Sequence, residues 1–289
     1  MSNQSIGMLI REFRQSRNLT MKEVCDTDLS VAQLSKFERG VSEITINKLL
    51  VILDKLNITI EEFFHAEQEF ELSEFEQLIV TMKEHYIKND VRSITELRDE
   101  QLEKYKQKNI KFFELNAIML TALMKDLMNE KGKEPEMEEK LIDHLLEVDI
   151  WCHYEIVLFA NSISLFNTNT LVTLTTEMVS NTKYYQEIKK HRVITIQTLI
   201  NVILTLLENG ETDQSKIFQD KLTELLEMDQ YLLYERNYSI YLAGLYLYKI
   251  GQKEDGLKSM QQAIATFENL NINQLAHNFQ THYNQTVSE

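Results

Sequence analysis

The sequence predicts an all-α protein, in which a small N-terminal domain of five helices is followed by a right-handed solenoid of about five helix pairs. The 289 residues include only 7 Gly and 1 Pro, too few for the turns of a many-stranded sheet or barrel. Apolar residues recur at helical spacing along most of the chain. Beyond the first 88 residues, breaks in this pattern recur about every 40 residues, a period typical of stacked helix pairs.

Five signals divide the first 65 residues into short helices. The first helix has apolar residues at i, i+3, i+4 and i+7: Ile6, Leu9, Ile10 and Phe13. Three more helices start at capping boxes, in which a hydroxyl residue and a Glu or Gln three positions later satisfy first-turn amides: Thr20 with Glu23, Ser30 with Gln33, and Thr59 with Glu62. A further amphipathic stripe lies between the last two boxes: Ile46, Leu49, Leu50, Leu53 and Leu56.

The second and third of these helices carry a specific pattern. Leu19-Thr20-Met21-Lys22-Glu23-Val24-Cys25 is followed by Leu29-Ser30-Val31-Ala32-Gln33-Leu34-Ser35-Lys36-Phe37-Glu38-Arg39-Gly40. This run resembles the helix-turn-helix of phage-repressor (XRE/Cro) proteins, whose third helix reads S-x-x-x-[IL]-S-x-x-E-x-G. Leu34 and Phe37 are expected in the core, Gly40 at the helix end, and Cys25 in the small-residue slot between the two helices. The turn at Asp26-Thr27-Asp28 lacks the usual Gly, and Asp can substitute for it.

In such a fold the third helix enters the major groove with its N-terminal residues at base edges. Its exposed positions are the candidate base contacts: Val31, Ala32, Gln33, Ser35 and Lys36. Gln33 can pair with adenine, Lys36 with guanine, and the apolar side chains with a thymine methyl group. For Gln33 the alternative is a purely structural part in the capping box.

Basic and hydroxyl side chains around this helix are candidates for phosphate contacts, which fix position and supply affinity. Those of the first helix are expected to lie off its apolar face. The candidates are Arg11, Arg14, Thr20, Lys22 and Arg39. For each Arg alone, the alternative is a solvated helix face. Residues 1–48 carry seven basic and six acidic side chains, so the net charge of −15 belongs to the rest of the chain.

Beyond residue 65 the sequence predicts a linker at residues 66–72 and a sensor and dimerisation domain at residues 73–289. The breaks fall at Asn89, Gly132, Asn167, Gly210 and Gly251. The last unit is similar to a tetratricopeptide repeat, in which small residues let helices approach closely. The positions that carry this similarity are Gly244, Leu247, Gly251, Gly256, Met260 and Ala263. Residues 271–283 are predicted to cap the array.

A solenoid of tetratricopeptide-like pairs has a concave face suited to an extended peptide. Asn amides can bond a peptide main chain, Tyr rings can wall a groove, and Arg can meet a carboxylate. The candidates are Arg92, Tyr154, Asn161, Tyr184, Tyr185, Arg192, Asn201, Asn237 and Tyr241, with Tyr238 and Arg236 beside them. The alternatives are Tyr packing between repeats and Arg in surface ion pairs.

The run Trp151-Cys152-His153-Tyr154-Glu155, continued by Leu158-Phe159 and Asn161-Ser162, completes a resemblance that covers the whole chain. Together with the repressor-type helix-turn-helix it resembles the Rgg/MutR family, in the same class of peptide-pheromone receptors as PlcR-like regulators. Cys152 stands where Gly is common. The resemblance implies a cytoplasmic homodimer, a palindromic promoter site in double-stranded DNA and a short signalling peptide used in quorum sensing. RNA polymerase is a further expected partner.

The sequence carries no catalytic or cofactor signature. The chain has no GxGxxG, GxxxxGK, HExxH or CxxC motif, which predicts no enzyme activity, no cofactor and no metal site. The longest apolar run, at residues 193–207, is too short and polar for a membrane span, so no membrane partner is expected. His144 and His153 flank Trp151 and are hypothetical pH sensors. The alternative function is a regulator whose repeats bind a protein partner instead of a peptide.

Overall fold

The computed structural model describes residues 6–67, 72–130, 134–185 and 187–288. Within these ranges the chain forms sixteen α-helices and no strand, which confirms the all-α prediction. The helices are α1 (Ile6–Ser16), α2 (Met21–Val24), α3 (Val31–Glu38), α4 (Ile46–Leu56), α5 (Ile60–Glu67), α6 (Glu74–Ile87), α7 (Val91–Lys108), α8 (Lys111–Met128), α9 (Pro135–Glu147), α10 (His153–Ala160), α11 (Thr168–Asn181), α12 (Lys189–Glu208), α13 (Thr212–Glu227), α14 (Leu233–Lys249), α15 (Lys253–Asn269) and α16 (Asn273–Ser288). Short 3₁₀ turns occupy Ile163–Leu165 and Lys183–Tyr185.

The helices fall into two compact units, Met1–Thr81 and Met82–Glu289. Of the predicted linker at residues 66–72, residues 68–71 lie outside the described residues, while Ala66 and Glu67 end α5. No helix in the described parts of the chain is both long and apolar enough to cross a membrane.

The first unit is built around one apolar core. Helices α1 and α3 pack closely because Gly7 lies against the backbone carbonyl of Phe37, where a Cβ would collide. The buried core residues are Ile10, Val24, Leu29, Leu34, Phe37, Ile52, Leu53, Leu56, Ile58 and Phe63. Leu34 and Phe37 are therefore in the core as expected, and Cys25 packs against it partly buried. The predicted stripe of α4 is partly wrong, because Ile46 is 65% exposed and Ile52 is buried instead.

The turn before α3 does without glycine. The Asp26 carboxylate accepts hydrogen bonds from the backbone N–H groups of Asp28 at 2.9 Å and Leu29 at 3.0 Å. An Asp side chain thus closes the turn, as its local hydrogen-bonding ability allows.

Asparagine ends many of the helices. Six described Asn residues have the left-handed backbone conformation, which Asn tolerates better than other side chains: Asn18, Asn57, Asn89, Asn109, Asn129 and Asn271. The predicted breaks at Asn89, Gly210 and Gly251 coincide with observed helix ends. The predicted break at Gly132 lies outside the described residues. The ends at Asn109 and Asn129 were not predicted, whereas the end at Asn271 coincides with the predicted start of the terminal cap.

The second unit stacks its helices in two sets. Helices α8, α10, α12 and α14 contact one another in succession, while α7, α9, α13 and α15 pack against members of this set. The closest pair is α14 with α15, where Gly244 and Gly256 face each other's backbone so tightly that a Cβ on either would collide. Met260 and Ala263 are fully buried. The small-and-large pattern of the last repeat therefore has the packing role predicted for it, and the number of repeats stays a prediction.

Candidate DNA-binding and ligand-binding sites

Helix α3 is fixed at both ends. At its start the Ser30 hydroxyl accepts a hydrogen bond of 3.2 Å from the backbone N–H of Gln33. At its end Gly40 has φ +67°, its N–H bonds Phe37 O at 2.8 Å, and the next N–H bonds Lys36 O at 2.9 Å. This is a glycine-dependent helix cap, as predicted. The ends therefore hold α3 in one register on the core.

The register of α3 leaves one face for a partner. Val31 is 45% exposed, Ala32 and Lys36 are exposed, and Ser35 is half-buried beside them. These are four of the five candidate base contacts. The geometry that a helix needs to read base edges, an exposed N-terminal face on a rigid core, is present.

Gln33, the fifth candidate base contact, has a neighbour that the sequence did not reveal. Its side-chain oxygen accepts a hydrogen bond of 2.8 Å from Lys48 Nζ on α4. Only the Ser30 half of the expected capping box is present at this helix. The side chain of Gln33 is therefore held by a lysine of α4.

Arg14 requires a correction. It was expected off the apolar face of α1, yet it is buried and donates to both carboxylate oxygens of Glu38, each at 2.7 Å. A third donor bonds Leu19 O at 2.7 Å. The side chain of Arg14 thus ties α1 to α3 and to the loop before α2, and three of its five N–H donors are used inside the first unit. The hydrogen bonds that Arg14 donates to the Glu38 carboxylate raise the pKa of Arg14.

The other candidate phosphate contacts remain on the surface. Arg11, Lys22 and Arg39 are exposed, and Arg39 Nε donates to Ser35 O at 3.1 Å. Thr20 is exposed too, but its N–H and hydroxyl both donate to the Glu23 carboxylate at 2.7 Å, which lowers the pKa of Glu23. These three cations of the first unit therefore stay exposed, without a structural task comparable to that of Arg14.

In the second unit, the tryptophan run forms the junction of α8, α9 and α10. Trp151 is fully buried and donates to Leu145 O at 3.1 Å. The Glu155 carboxylate accepts from the N–H of Cys152 at 2.9 Å and lies 3.6 Å from His144 Nε2. The Tyr154 hydroxyl lies 3.1 Å from Asn116 Oδ1, and burial raises the pKa of that hydroxyl.

Asn161 and Asn201 differ in their surroundings. Asn161 is half-buried at the end of α10, and its amide donates to Val157 O of its own helix at 2.7 Å. Asn201 is exposed on α12. Of the two, Asn201 presents its amide to solvent, whereas Asn161 serves first as a helix cap.

The two tyrosines after α11, Tyr184 and Tyr185, also differ in their surroundings. Tyr184 is 79% exposed. Tyr185 stacks on His191 with ring centroids 4.9 Å apart, and its hydroxyl lies 3.8 Å from Cys152 Sγ. His153 lies 6.1 Å from His191, ring to ring. Among the residues that the structure describes, no group of three or more His, Cys, Asp or Glu is arranged to hold a metal ion.

The candidate arginines all have acidic or backbone partners. Arg92 is exposed on α7 and pairs with Glu96 at 3.1 Å. Arg192 is largely buried and pairs with Asp229 at 3.1 Å, which joins α12 to the loop before α14. Arg236 donates to the backbone oxygens of Leu226 and Asp229 at the end of α13.

Asn237 requires a second correction. It is 5% exposed, and its amide donates to Ala263 O at 2.9 Å, so the side chain ties α14 to α15. Tyr241 is 1% exposed, with its hydroxyl 2.7 Å from His282 Nδ1. Its ring packs on Phe279 of α16. Sequence reasoning missed Phe279 and His282, although their spacing of three residues on a helix could have marked them as one face.

The fold thus defines a DNA-binding regulator: a helix-turn-helix unit followed by an all-helical second unit. Residues 10–63 match a helix-turn-helix family model. Residues 95–281 match the C-terminal domain of the HTH-type transcriptional regulator Rgg. The chain belongs to the Rgg family of transcriptional regulators, which confirms the family predicted from its sequence.

Solved structures agree with this assignment. The SHP pheromone receptor Rgg2 of Streptococcus dysgalactiae is 30% identical, over 97% of this chain and 99% of that one, with a TM-score of 0.83. A protein of Listeria monocytogenes is 24% identical over 99% and 98% of the two chains, with a TM-score of 0.84. ComR of S. thermophilus, in complex with DNA and its signalling peptide ComS, is 15% identical over 98% and 99%, with a TM-score of 0.62. The last two share the fold.

Proposed function

We propose that this protein is a cytoplasmic quorum-sensing regulator, in which a homodimer reads a palindromic DNA site with two α3 helices and a short peptide binds to the second unit. The observation that carries the proposal is the face of α3. Val31, Ala32 and Lys36 stand exposed on a helix whose ends and core contacts are fixed. A rigid helix with a free N-terminal face is what major-groove reading requires.

Within this interface, Lys36 and Arg39 have different tasks. Lys36 belongs to the face that reads base edges, where each good contact discriminates by about 1–3 kcal/mol. Arg39 lies just beyond the helix and is suited to a phosphate, which carries no sequence information. Residues 1–48, which contain α3, carry a net charge of +1, while the rest of the chain carries −16 and is repelled by DNA, so the part of the protein around α3 approaches the duplex.

The test begins by selecting the bound sequence from random duplex DNA. We expect a palindrome with half-sites one or two helical turns apart. Lys36→Ala should lose about 1–3 kcal/mol of preference for the selected site over random DNA. Arg39→Ala should weaken both equally and reduce the salt dependence by about one counterion. Equal losses for the two variants on the two DNAs would show that the assigned register is wrong.

For the peptide, the supporting features lie on α12 and the turn before it. Asn201 and Tyr184 are exposed, and neither is tied to a neighbouring helix as Asn237 and Tyr241 are. An Asn amide can bond a peptide main chain whatever the side chains. Rgg2 is described as a pheromone receptor, and the ComR structure contains a signalling peptide.

The peptide would act by linkage. If it binds one arrangement of the dimer more tightly than another, it shifts the population of DNA-competent dimers by that difference in affinity. A random octapeptide library presented to the full-length protein tests the binding. Asn201→Ala should reduce retention of the selected peptides about fivefold to tenfold. Asn169→Ala, an exposed Asn on α11, is the matched control and should change nothing. A protein partner in place of a peptide would leave the library without any enriched member.

A further inference from the structure

A cavity of about 220 Å³ lies between α12, α14 and α16. We call it the end cavity. Its lining residues are Leu204, Tyr234, Tyr238, Tyr241, Leu275, Asn278, Phe279 and His282. The lining comes from three helices whose contributing residues stand about 35–40 positions apart, so the cavity is made by the stacking of successive repeats.

The walls of the end cavity are held in place by ring contacts. Phe279 is 7% exposed and packs edge-on against Tyr238 and Tyr241, with ring centroids 4.6 and 4.7 Å apart. It also packs on Phe267 of α15 at 5.0 Å. The Tyr241 hydroxyl is fixed by His282. Rings with neighbours on several sides cannot swing in to close the space.

The chemistry of the lining selects an uncharged occupant. None of the eight lining residues is Asp, Glu, Lys or Arg, in a chain that is 26% charged. A charged group would lose its hydration there, and the imidazole of His282 in the lining already lies beside the Glu208 carboxylate. Glu208 and Lys249 line a second cavity that shares His282 with the end cavity, and Glu208 Oε1 lies 3.4 Å from His282 Nε2. The Tyr234 side chain, 37% exposed, and Asn278, which is exposed, place polar groups at the edge.

The size of the end cavity selects one side chain. An engineered protein cavity of 150 Å³ holds a benzene molecule. A space of about 220 Å³ is therefore large enough for one aromatic or branched aliphatic side chain.

We propose that the end cavity is a specificity pocket that takes one large, uncharged apolar side chain of the short peptide. This inference rests on the proposed function, since it names a subsite for the same ligand. The main chain of the peptide would lie along α12 toward Asn201, one turn before Leu204 on the same helix. Burying such a side chain should contribute roughly 10- to 100-fold to the affinity.

A filled pocket tests the proposal. In Leu275→Trp the larger ring occupies the end cavity from α16. Leu270→Trp is the matched control, because Leu270 is 59% exposed at the end of α15 and outside the lining. Full-length wild type and both variants are each presented with the random octapeptide library, and bound peptides are sequenced. We expect wild type and Leu270→Trp to enrich Phe, Tyr, Trp, Leu or Ile at one position, and Leu275→Trp to lose that preference by at least tenfold.

An enlarged pocket provides the second measurement. Leu204→Ala should shift the enriched residue toward the larger rings, Trp over Leu. The proposal is overturned if wild type enriches peptides with no apolar position, or with a charged one. It is overturned equally if neither Leu275→Trp nor Leu204→Ala alters the preferred size. If wild type enriches no peptide at all, the proposed function itself fails, and this inference falls with it.

Discussion

The two units of this protein use polar side chains in opposite ways. In the first unit one buried ion pair, Arg14 with Glu38, joins α1 to α3, and the face of α3 that would meet DNA stays clear. In the second unit the polar contacts are spread over successive helices. They include Gln197 with Glu235 at 2.8 Å and Tyr241 with His282 at 2.7 Å.

The difference follows from the architecture. A five-helix unit has one core, so one ion pair can fix its two main helices. A helical array must be tied at each step, since each helix pair touches only its neighbours. A polar side chain that the sequence suggests as a ligand contact is therefore more often a contact between helices in the second unit than in the first.

The largest expected effect comes from removing the ion pair, which tests whether this one contact joins the two main helices of the first unit. Arg14→Ala leaves Glu38, whose side chain is 1% exposed, as an uncompensated buried charge. Losing one partner of a buried pair typically costs about 3–5 kcal/mol. We expect the free energy of unfolding of the first unit to fall by that amount. Urea denaturation, monitored by hydrogen exchange of residues 6–67, measures it.

The control for this variant is Arg11→Ala, since Arg11 is an exposed arginine on the same helix. It should change stability by less than about 0.5 kcal/mol. Hydrogen exchange in the described residues of the second unit, from residue 82 onward, should be unaffected by either change. If Arg14→Ala is as stable as Arg11→Ala but binds all DNA more weakly, Arg14 is a phosphate contact after all.

Glycine substitutions compare the close approaches of the two units. Gly7→Ala would drive a Cβ into Phe37 O of α3, and Gly256→Ala would place one 2.6 Å from Gly244 O of α14. Overpacking of this kind costs about 1–3 kcal/mol. Each change should increase the rate of amide hydrogen exchange only in its own unit.

The control for these variants is Gly210→Asn. A Cβ there meets no atom within 4 Å, and Asn tolerates the φ of +80°. We expect it to cost less than about 1 kcal/mol. Equal effects of Gly210→Asn and Gly256→Ala would show that backbone conformation, and not the contact of α14 with α15, determines the cost.

Sequence alone predicted the first unit well because its signals are local. Capping boxes and the pattern from Ser30 to Gly40 depend on residues within a few turns. Arg14 was misassigned because its partner Glu38 stands 24 residues away and its position on α1 looks solvent-facing. Likewise, no local sequence signal indicates that Lys48 bonds Gln33, because the two residues are 15 positions apart.

The second unit was predicted in outline but not in its contacts. Glycine breaks at Gly210 and Gly251 were visible, whereas helix ends at Asn109 and Asn129 were not, because Asn is also common on polar helix faces. The end cavity was not predicted from the sequence, because Tyr241 and His282, which contact each other in its lining, are 41 residues apart. The repeat period of about 40 was the signal that could have found it, since residues one period apart on successive helices tend to meet.

The smallest expected effect concerns Glu155, a buried acid in the second unit. Burial is the largest influence and raises its pKa, but His144 and the N–H groups of Glu155 and Cys152 together outweigh it, so the pKa lies below the ordinary value. A lowered pKa stabilises the folded state above the ordinary carboxyl pKa of about 4.3, and this stability is lost as pH falls through the folded value. Glu155→Gln keeps an acceptor without the charge. It should lose about 1 kcal/mol at pH 7 and converge on wild type in urea denaturation toward pH 4. Glu139→Gln, on the exposed face of α9, should parallel wild type throughout. A Glu155→Gln curve parallel to wild type would show that the carboxylate contributes no pH-dependent stability.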